Sequence, residues 1–256
     1  MIKKLHYFLR RFYIFLIILI LWKLVSDLGI WSSYILSPPE KVLKTLISMI
    51  EDNSLLKNIA ISFRRVFTGF FISASFGIPL GIFFGVNIKV YEYFKTLLNF
   101  IRNIPPISLI PMLILWCGIG EESKIIIIIL ASFFPIFLNT LKGIKNCDNN
   151  LIEVGKSFKL SYFTIIRRII IPSAVVDIVV GLRLSLGYSF RAIVGAELIA
   201  ASSGLGYLIS DAKDMSRTDA VIVGILAIGV VGIICDTLFL KLIKMLSKGR
   251  QDCFYE

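Results

Sequence analysis

The chain has 256 residues, of which 57% are hydrophobic and only 18% are charged, and its mean hydropathy is +0.84. A soluble domain carries about 45–50% apolar and about 25% charged residues and needs a polar surface, so this composition excludes a soluble globule and predicts an integral membrane protein. Lys and Arg number 28 against 17 Asp and Glu, a formal net charge of +11; we interpret the excess as basic cytoplasmic loops rather than a nucleic-acid surface.

Side chains that could carry catalysis or hold a metal ion are scarce. His6 is the only histidine and lies in a basic N-terminal segment. The four cysteines are widely spaced and form no CxxC pair, which argues against both a disulfide framework and a zinc site. We therefore expect no catalytic residue, no metal site and no cofactor in this chain.

Six apolar segments of membrane-spanning length follow one another along the chain. They cover residues 8–25, 66–88, 97–120, 125–141, 169–200 and 220–242. The third is interrupted by Pro105, Pro106 and Pro111, and the fourth contains Pro135. Prolines free backbone carbonyl groups, which then need a neighbouring group or a water-filled cavity. The sequence thus predicts an all-α, polytopic membrane protein with six transmembrane helices.

Basic residues are distributed unevenly between the two sides that six spans create. With the N-terminus inside, sixteen lysines and arginines fall in the inner segments and eight in the outer segments. This bias predicts that the N- and C-termini are both cytoplasmic. It also places the long connection 142–168 in the cytoplasm.

Two connections on the outer side have patterns of their own. Residues 37–40, Ser-Pro-Pro-Glu, fit a capping box with prolines in the first helical turn. Apolar residues then recur at helical spacing: Val42, Leu43, Leu46, Ile47 and Ile50. A helix in the membrane interface and a plain connector both fit this segment. After the fifth span, Gly204 and Gly206 predict a turn that leads into a short outer helix.

Small residues recur at every fourth position of the second span. They are Gly69, Ser73, Gly77, Gly81 and Gly85. Helices in lipid associate through close backbone approach, which small residues allow. Gly181, Ser185 and Ser189 repeat the pattern in the fifth span. Both helices are therefore predicted to pack tightly within the bundle.

The fifth span also carries four ionisable residues, Asp177, Arg183, Arg191 and Glu197. At 100° per residue they fall within about 160° of the helix surface. Charges inside a membrane are costly unless they are paired or face water. We predict that Arg183, Arg191 and Glu197 line a translocation path or meet a partner subunit. Solvation of Asp177 and Glu197 near the membrane interfaces is the alternative.

The cytoplasmic connection contains two short helical patterns. Residues 150–174 read NLIEVGKSFKLSYFTIIRRIIIPSA, in which Asn150 and Glu153 fit an N-cap and its reciprocal partner, and Ser161 can cap a second helix. The apolar residues of the first helix share one face: Leu151, Val154 and Phe158. An exposed apolar face of this kind marks a binding surface.

This spacing resembles the coupling loop of ABC-transporter permease subunits, which is E-A-A, three residues, G, nine residues and I-x-L-P. The matching places are held by Glu153, Val154, Gly155, Lys159, Ile169, Ile171 and Pro172. In that family the loop sits in a groove of a cytoplasmic ATPase and transmits its closure to the membrane helices. The resemblance implies this coupling role for Glu153, Val154, Gly155, Phe158, Lys159, Ser161 and Pro172.

Further segments extend the resemblance to the nitrate, sulfonate and taurine group of bacterial importers, and within it to aliphatic sulfonate permeases. They are IRNIPPISLIPMLILWCGIGEESK, ASFFPIFLNTLKGI, GLRLSLG and AELIAASSGLGYLISDAKDMSRTD. The resemblance implies a type I ABC importer permease fold in the bacterial inner membrane. It also implies a non-catalytic subunit that moves a small anion such as an alkanesulfonate, taurine or nitrate. Related members carry pyrimidine precursors or riboflavin, which remains the alternative.

The resemblance also implies partners and a division of the chain. The expected partners are two copies of a cytoplasmic ATPase that hydrolyses ATP, an extracytoplasmic substrate-binding protein and a second permease copy, with no nucleic acid. Residues 1–65 would form an N-terminal anchor helix and outer interfacial segment. Residues 66–256 would form the core permease domain, with the coupling loop at 142–168.

The coupling loop of this sequence departs from the family pattern in two places. Lys159 stands where the family has glycine, and if this position is left-handed the lysine costs about 1 kcal/mol. Val154 and Gly155 replace two alanines.

An ion-coupled secondary transporter is the alternative class, but it would show internal repeats and acidic residues at mid-membrane, and the sequence has no visible repeat. A membrane enzyme would need a polar cluster, whereas the acidic groupings 121–122 and 211–214 fit solvated loop ends.

Overall fold

Regular structure is entirely helical in the part of the chain that the computed structural model describes, residues 2–246, with side chains described over 13–241 and at 243. The α-helices in this part are α1 Ile2–Asp27, α2 Pro39–Glu51, α3 Ser54–Val86, α4 Ile88–Arg102, α5 Ile110–Cys117, α6 Glu121–Lys145, α7 Asn149–Ser157, α8 Tyr162–Ile165, α9 Ile171–Ala200, α10 Leu205–Asp214 and α11 Thr218–Leu246. A 3₁₀ turn, Pro106–Leu109, precedes α5, and a π-helical segment, Ile166–Ile170, joins α8 to α9. The all-α prediction is confirmed.

Each predicted apolar segment corresponds to one or two helices, and the third also contains the non-helical residues 103–105 and 118–120. Four stretches are long and apolar enough to cross a membrane: Ser54–Val86, Glu121–Lys145, Tyr162–Asp214 and Thr218–Lys241. A fifth is formed by Ile88–Arg102 and Pro106–Cys117, which meet at a bend of 76°. α1 has 26 residues, and at 1.5 Å per residue it is about 39 Å long, more than the hydrocarbon core of a bilayer. The helices are therefore compatible with six spans.

Two helices, α3 and α4, begin much earlier than the predicted spans. α3 begins at Ser54 rather than at residue 66, and its early polar residues are hydrogen-bonded within the protein: Asn58 Oδ1 accepts from the Gly204 N–H that precedes α10, and Ser62 donates to Glu197 of α9. The predicted division of the chain at residue 65 therefore falls within a helix. The third segment begins at Ile88 rather than at residue 97 and breaks before Pro106, as predicted. Pro111 does not break it but lies in the first turn of α5, where a helix needs no proline N–H.

α6 is the central helix, with α3 packed on one side and α9 on the other. The small residues that recur along α3 are all buried. A Cβ atom at Gly69 would lie 2.6 Å from Ile128 Cγ2 of α6, and one at Gly181 of α9 would lie 2.9 Å from the carbonyl oxygen of Pro135. Real Cβ atoms do not approach so closely. The predicted tight packing of the second and fifth spans is thus confirmed.

The connection between the first two spans contains a true helix, α2, which packs against α3 and α11. The helical alternative is therefore correct, but the predicted cap is wrong. Pro38 is the N-cap, while Ser37 is buried and donates a hydrogen bond to the Ser33 carbonyl oxygen at 3.0 Å. Thr45 donates to the Asp219 carboxylate of α11 at 2.6 Å. The apolar side chains Leu43, Ile47 and Ile50 are exposed.

Candidate coupling surface and translocation cavity

The first helix of the connection 142–168, α7, is capped by Asp148. The Asp148 side chain accepts a hydrogen bond from the Asn150 N–H at 2.9 Å. The predicted cap at Asn150 is wrong, because the carboxylate two residues earlier reaches the free N–H groups first. Glu153 is exposed, and within the described residues no ion pair joins its carboxylate to the chain. Its side chain is therefore free to meet a partner.

Lys159 forms the turn between α7 and α8 and has a left-handed backbone with φ of +52°. Its N–H donates to the Lys156 carbonyl at 2.8 Å, and the Leu160 N–H donates to the Gly155 carbonyl at 3.1 Å. These two bonds define a Schellman motif, in which glycine is the favoured residue at the Lys159 position. Ser161 then caps α8, accepting from the Thr164 N–H at 3.3 Å. The left-handed backbone considered for Lys159 and the predicted cap at Ser161 are both present.

The two faces of α7 have opposite surroundings. Leu151, Val154 and Phe158 are exposed, and Phe158 has 76% of its surface accessible. On the other face Gly155 is buried, and a Cβ atom there would lie 2.7 Å from Ile169 Cδ1. The glycine therefore lets α7 lie directly on the π-helical segment. The apolar face remains available for a partner.

The π-helical segment connects α7 to the membrane bundle. Ile165 and Ile170 are buried in one cluster with Ile144 of α6 and Ala174 of α9. Pro172 lies in the first turn of α9. Since proline has no N–H, the hydrogen-bond ladder changes register before it, which suits a π-helical turn. α7 is thus linked through packed side chains to both α6 and α9.

Asp177 and Arg183 of α9 are each paired with a residue of another helix. Lys142 Nζ of α6 lies 3.3 Å from Asp177 Oδ1, so Asp177 is not merely solvated. Arg183 donates two hydrogen bonds to the Asp236 carboxylate of α11, at 2.7 and 2.8 Å. This bidentate geometry is the strongest arrangement for an arginine and a carboxylate. Both side chains are nearly half exposed, at 41% and 47%.

Arg191 lines a cavity of about 460 Å³ between the α4–α5 bend, α6 and α9. It is exposed, and its guanidinium carbon lies 5.6 Å from the centre of the Tyr188 ring. Pro135 also lines the cavity, together with Ala131, whose carbonyl group is the one that this proline leaves without its helical N–H donor. The predicted association of helix-breaking prolines with a cavity is therefore present at this position.

Glu197 lies in a different environment, with only 1% of its surface exposed. Its carboxylate accepts hydrogen bonds from Arg65 Nη1 at 2.7 Å, from Ser62 Oγ at 2.9 Å and from the Gly206 N–H of α10 at 2.9 Å. Solvation at the interface, the alternative for this residue, is wrong. Its burial also fails to support a place on a translocation path. Glu197 instead holds α3, α9 and the start of α10 together.

Sequence reasoning missed the arginine at the centre of this network, Arg65, because it was counted with the outer loop charges. Only 2% of Arg65 is exposed. Its Nε donates to Glu121 Oε2 at 2.7 Å and its Nη1 to the Ser203 carbonyl at 2.7 Å. Gly204 is needed here: its φ is +112°, and a Cβ atom there would lie 2.3 Å from Glu197 Cδ. The Gly-x-Gly turn at Gly204 and Gly206 was therefore the sequence signal that a buried group lies close to this turn.

Sequence comparison places these features within a known group of proteins. Residues 77–249 match the model of the binding-protein-dependent transport system inner membrane component family. A Bacillus subtilis protein named as an aliphatic sulfonates transport permease is 35% identical over 92% of this chain and 86% of its own length. The taurine transport system permease protein TauC of Escherichia coli is 33% identical over 86% of this chain and 82% of its own length.

Structural comparison agrees with the sequence. An inward-facing structure of the MetNI methionine ABC transporter superposes with a TM-score of 0.55, covering 74% of this chain and 94% of that one at 18% identity. This likeness shows the fold of a type I ABC importer permease, and the sequence relatives confirm the resemblance to ABC importer permeases. The chain belongs to the family of binding-protein-dependent transport system inner membrane components.

Proposed function

We propose that this chain is the membrane-spanning subunit of a bacterial ABC importer for organic sulfonates. The observation that carries the proposal is the exposed apolar face of α7, which lies through Gly155 on the segment that becomes α9. A partner bound to this face is mechanically joined to the bundle. The names of the two relatives support a sulfonate as the substrate. ATP is hydrolysed on a separate subunit, and this chain is non-catalytic.

The complete transporter contains two copies of this chain, two cytoplasmic ATPases and one extracytoplasmic binding protein. Family membership supports the ATPase and the binding protein as partners. A second copy is supported by Arg191, which is exposed on the single protomer and needs water or protein around its charge inside a membrane. The excess of basic residues in the inner segments supports cytoplasmic N- and C-termini.

Each residue of the coupling surface has a proposed role. Val154 and Phe158 insert into an apolar groove of the ATPase, while Glu153 and Lys159 make polar contacts at its rim. Three further residues position the surface: Gly155, Ser161 and Pro172. In the membrane, Arg191 faces the translocation path, and Arg183 borders the path as an ion pair with Asp236. Glu197 positions the outer ends of the helices.

Co-purification from the native membrane tests the proposal. The tagged chain is extracted in mild detergent, and mass spectrometry identifies the proteins that remain bound. We expect an ATPase with Walker motifs to accompany the wild type and to be lost from Phe158→Asp, because a carboxylate cannot be buried in an apolar groove without a partner. Leu28→Asp is the matched control. Leu28 is similarly exposed, at 72%, but it directly follows the C-terminal end of α1, on the predicted outer side.

The outcome distinguishes between transporter classes. Retention of the ATPase by the Leu28 variant and loss by the Phe158 variant support α7 as the coupling surface. Recovery of the wild-type chain alone, under conditions that keep a known ABC transporter intact, would contradict the proposal. Ion-coupled secondary transport would then be the better hypothesis.

A further inference from the structure

The cavity between the α4–α5 bend, α6 and α9 is apolar except for a few groups. Its walls include Ile104, Leu130, Phe134, Leu138 and Leu184, and its charged lining residues in the described part of the chain are Arg102 and Arg191. No Asp or Glu is among them. The cavity therefore combines two fixed positive charges with apolar walls.

These two arginines differ from Arg65 and Arg183. Arg65 is paired with Glu121 and Glu197, and Arg183 with Asp236. Neither the Arg102 guanidinium nor that of Arg191 has an ion pair or a hydrogen bond with residues 13–241. The Arg191 guanidinium lies over the Tyr188 ring. Their positive charges therefore have no ion-pair partner among the described residues. A charge inside a membrane needs a counter-charge or water, so an anion in the cavity satisfies both side chains.

The position of the cavity suits a step in transport. Arg102 ends α4 at the 76° bend, after a helix of 15 residues that rises about 22 Å. The lining residues of α6 and α9 lie in the middle turns of these helices, at 130–139 and 184–192. An anion held here is within the membrane, between the outer network around Glu197 and the cytoplasmic surface at α7.

We infer that Arg102 and Arg191 form an anion-binding station for an alkanesulfonate, with the sulfonate at the two guanidinium groups and the alkyl chain against the apolar walls. A sulfonate stays ionised at every physiological pH, and arginine keeps its charge and binds oxyanions in a bidentate manner. This inference rests on the proposed function and narrows its substrate. Taurine carries an ammonium group as well, and the lining offers no carboxylate for it. The station therefore favours alkanesulfonates over taurine.

The test uses the complete transporter reconstituted in proteoliposomes, with uptake of radiolabelled butanesulfonate and ATP hydrolysis measured together. We expect Arg102→Gln and Arg191→Gln each to lower uptake at least about tenfold, the loss expected when one hydrogen bond between charged groups is removed. ATPase co-purification should be unchanged, which excludes a folding defect. Arg191→Lys, which keeps the charge but not the bidentate geometry, should fall between Gln and wild type.

The matched control is Lys89→Gln, which removes one positive charge from the exposed first turn of the same helix, α4, outside the cavity. Uptake in this variant should equal that of the wild type. Unchanged uptake in both arginine variants, with a wild type that transports, would overturn the station and leave the proposed function intact. A wild type that neither binds an ATPase nor takes up butanesulfonate would overturn both.

Substrate preference is measured on the permease–ATPase complex without the binding protein, so that only the membrane subunit selects. Unlabelled butanesulfonate and taurine compete with labelled butanesulfonate for binding to this complex. Displacement of the labelled compound should require at least about tenfold more taurine than unlabelled butanesulfonate, because the taurine ammonium group has no partner. Equal competition by the two compounds would overturn the assignment to alkanesulfonates.

Discussion

The three charged groups of the network formed by Arg65, Glu121 and Glu197 differ in burial, so we expect their replacements to cost different amounts of stability. Arg65 and Glu197 are almost fully buried, whereas the side chain of Glu121 is 44% exposed. Replacing Arg65 with Leu leaves the Glu197 carboxylate buried without a counter-charge, which costs about 3–5 kcal/mol of folding free energy. Glu197→Gln keeps Arg65 paired with Glu121, so it loses one charge-assisted hydrogen bond, about 1.5–3 kcal/mol. Glu121→Gln affects an exposed group and costs about 0–1 kcal/mol.

Thermal unfolding in detergent measures this order through a thiol-reactive dye. Cys147 and Cys235 are buried free thiols, so the dye labels them as the protein unfolds. The apparent melting temperature should fall most for Arg65→Leu, less for Glu197→Gln and least for Glu121→Gln. The double variant Arg65→Leu with Glu197→Leu should be more stable than Arg65→Leu alone, because no charge is then buried unpaired. Equal losses in the three single variants, or no recovery in the double variant, would refute the reasoning.

Three further predictions concern packing and coupling. Gly81→Ala should destabilise the protein by about 1–3 kcal/mol, since the new Cβ would lie 2.6 Å from Thr140 Cβ; Gly229→Ala, with open space around it, is the control in the same melting assay. Lys159→Gly should raise stability by about 1 kcal/mol by relieving the left-handed backbone and should keep or improve ATPase association in pull-downs; a marked loss would show that the lysine itself binds the ATPase. Glu153→Lys should weaken ATPase docking with no change in melting, because Asp148 and not Glu153 caps α7; unchanged docking would remove Glu153 from the coupling surface.

The features predictable from sequence are those that depend on neighbours along one helix. The small residues of α3 lie on one face by their spacing alone, so their burial followed directly from the pattern. The left-handed Lys159 and the cap at Ser161 likewise involve contacts of three to five residues in sequence. The cap of α7 was misplaced by two residues because Asp148 and Asn150 are both good capping residues, and local composition does not choose between them.

The features that could not be predicted depend on distant partners. Glu197 and Arg183 fall on the same charged arc of α9, and helical periodicity treats them alike. The partner of Glu197 is Arg65, 132 residues earlier, and the partner of Arg183 is Asp236, 53 residues later. Which of these charges is buried follows from α10 folding back over the end of α9. The place of Arg102 beside the cavity was missed for the same reason, because the bend between α4 and α5 brings it to the cavity that Arg191 lines.

The three sites are connected by one helix, and this connection limits how the proposed coupling can operate. α9 begins after the π-helical segment on which α7 lies, passes the cavity at Arg191 and carries Glu197 in its last turn. The distance from Ile171 to Arg191 along the helix is about 30 Å. Gly143 of α6 fits against Ala174 at the inner end, where a Cβ atom would lie only 3.0 Å from Ala174 Cβ. Since α6 and α9 are packed too closely to slide independently, movement of α7 should displace both walls of the cavity together. Ile170→Ala should loosen the buried cluster that contains Ile170 and Ala174. This variant should therefore reduce uptake per ATP hydrolysed while leaving ATPase docking intact. An unchanged ratio of uptake to hydrolysis would exclude transmission through α9.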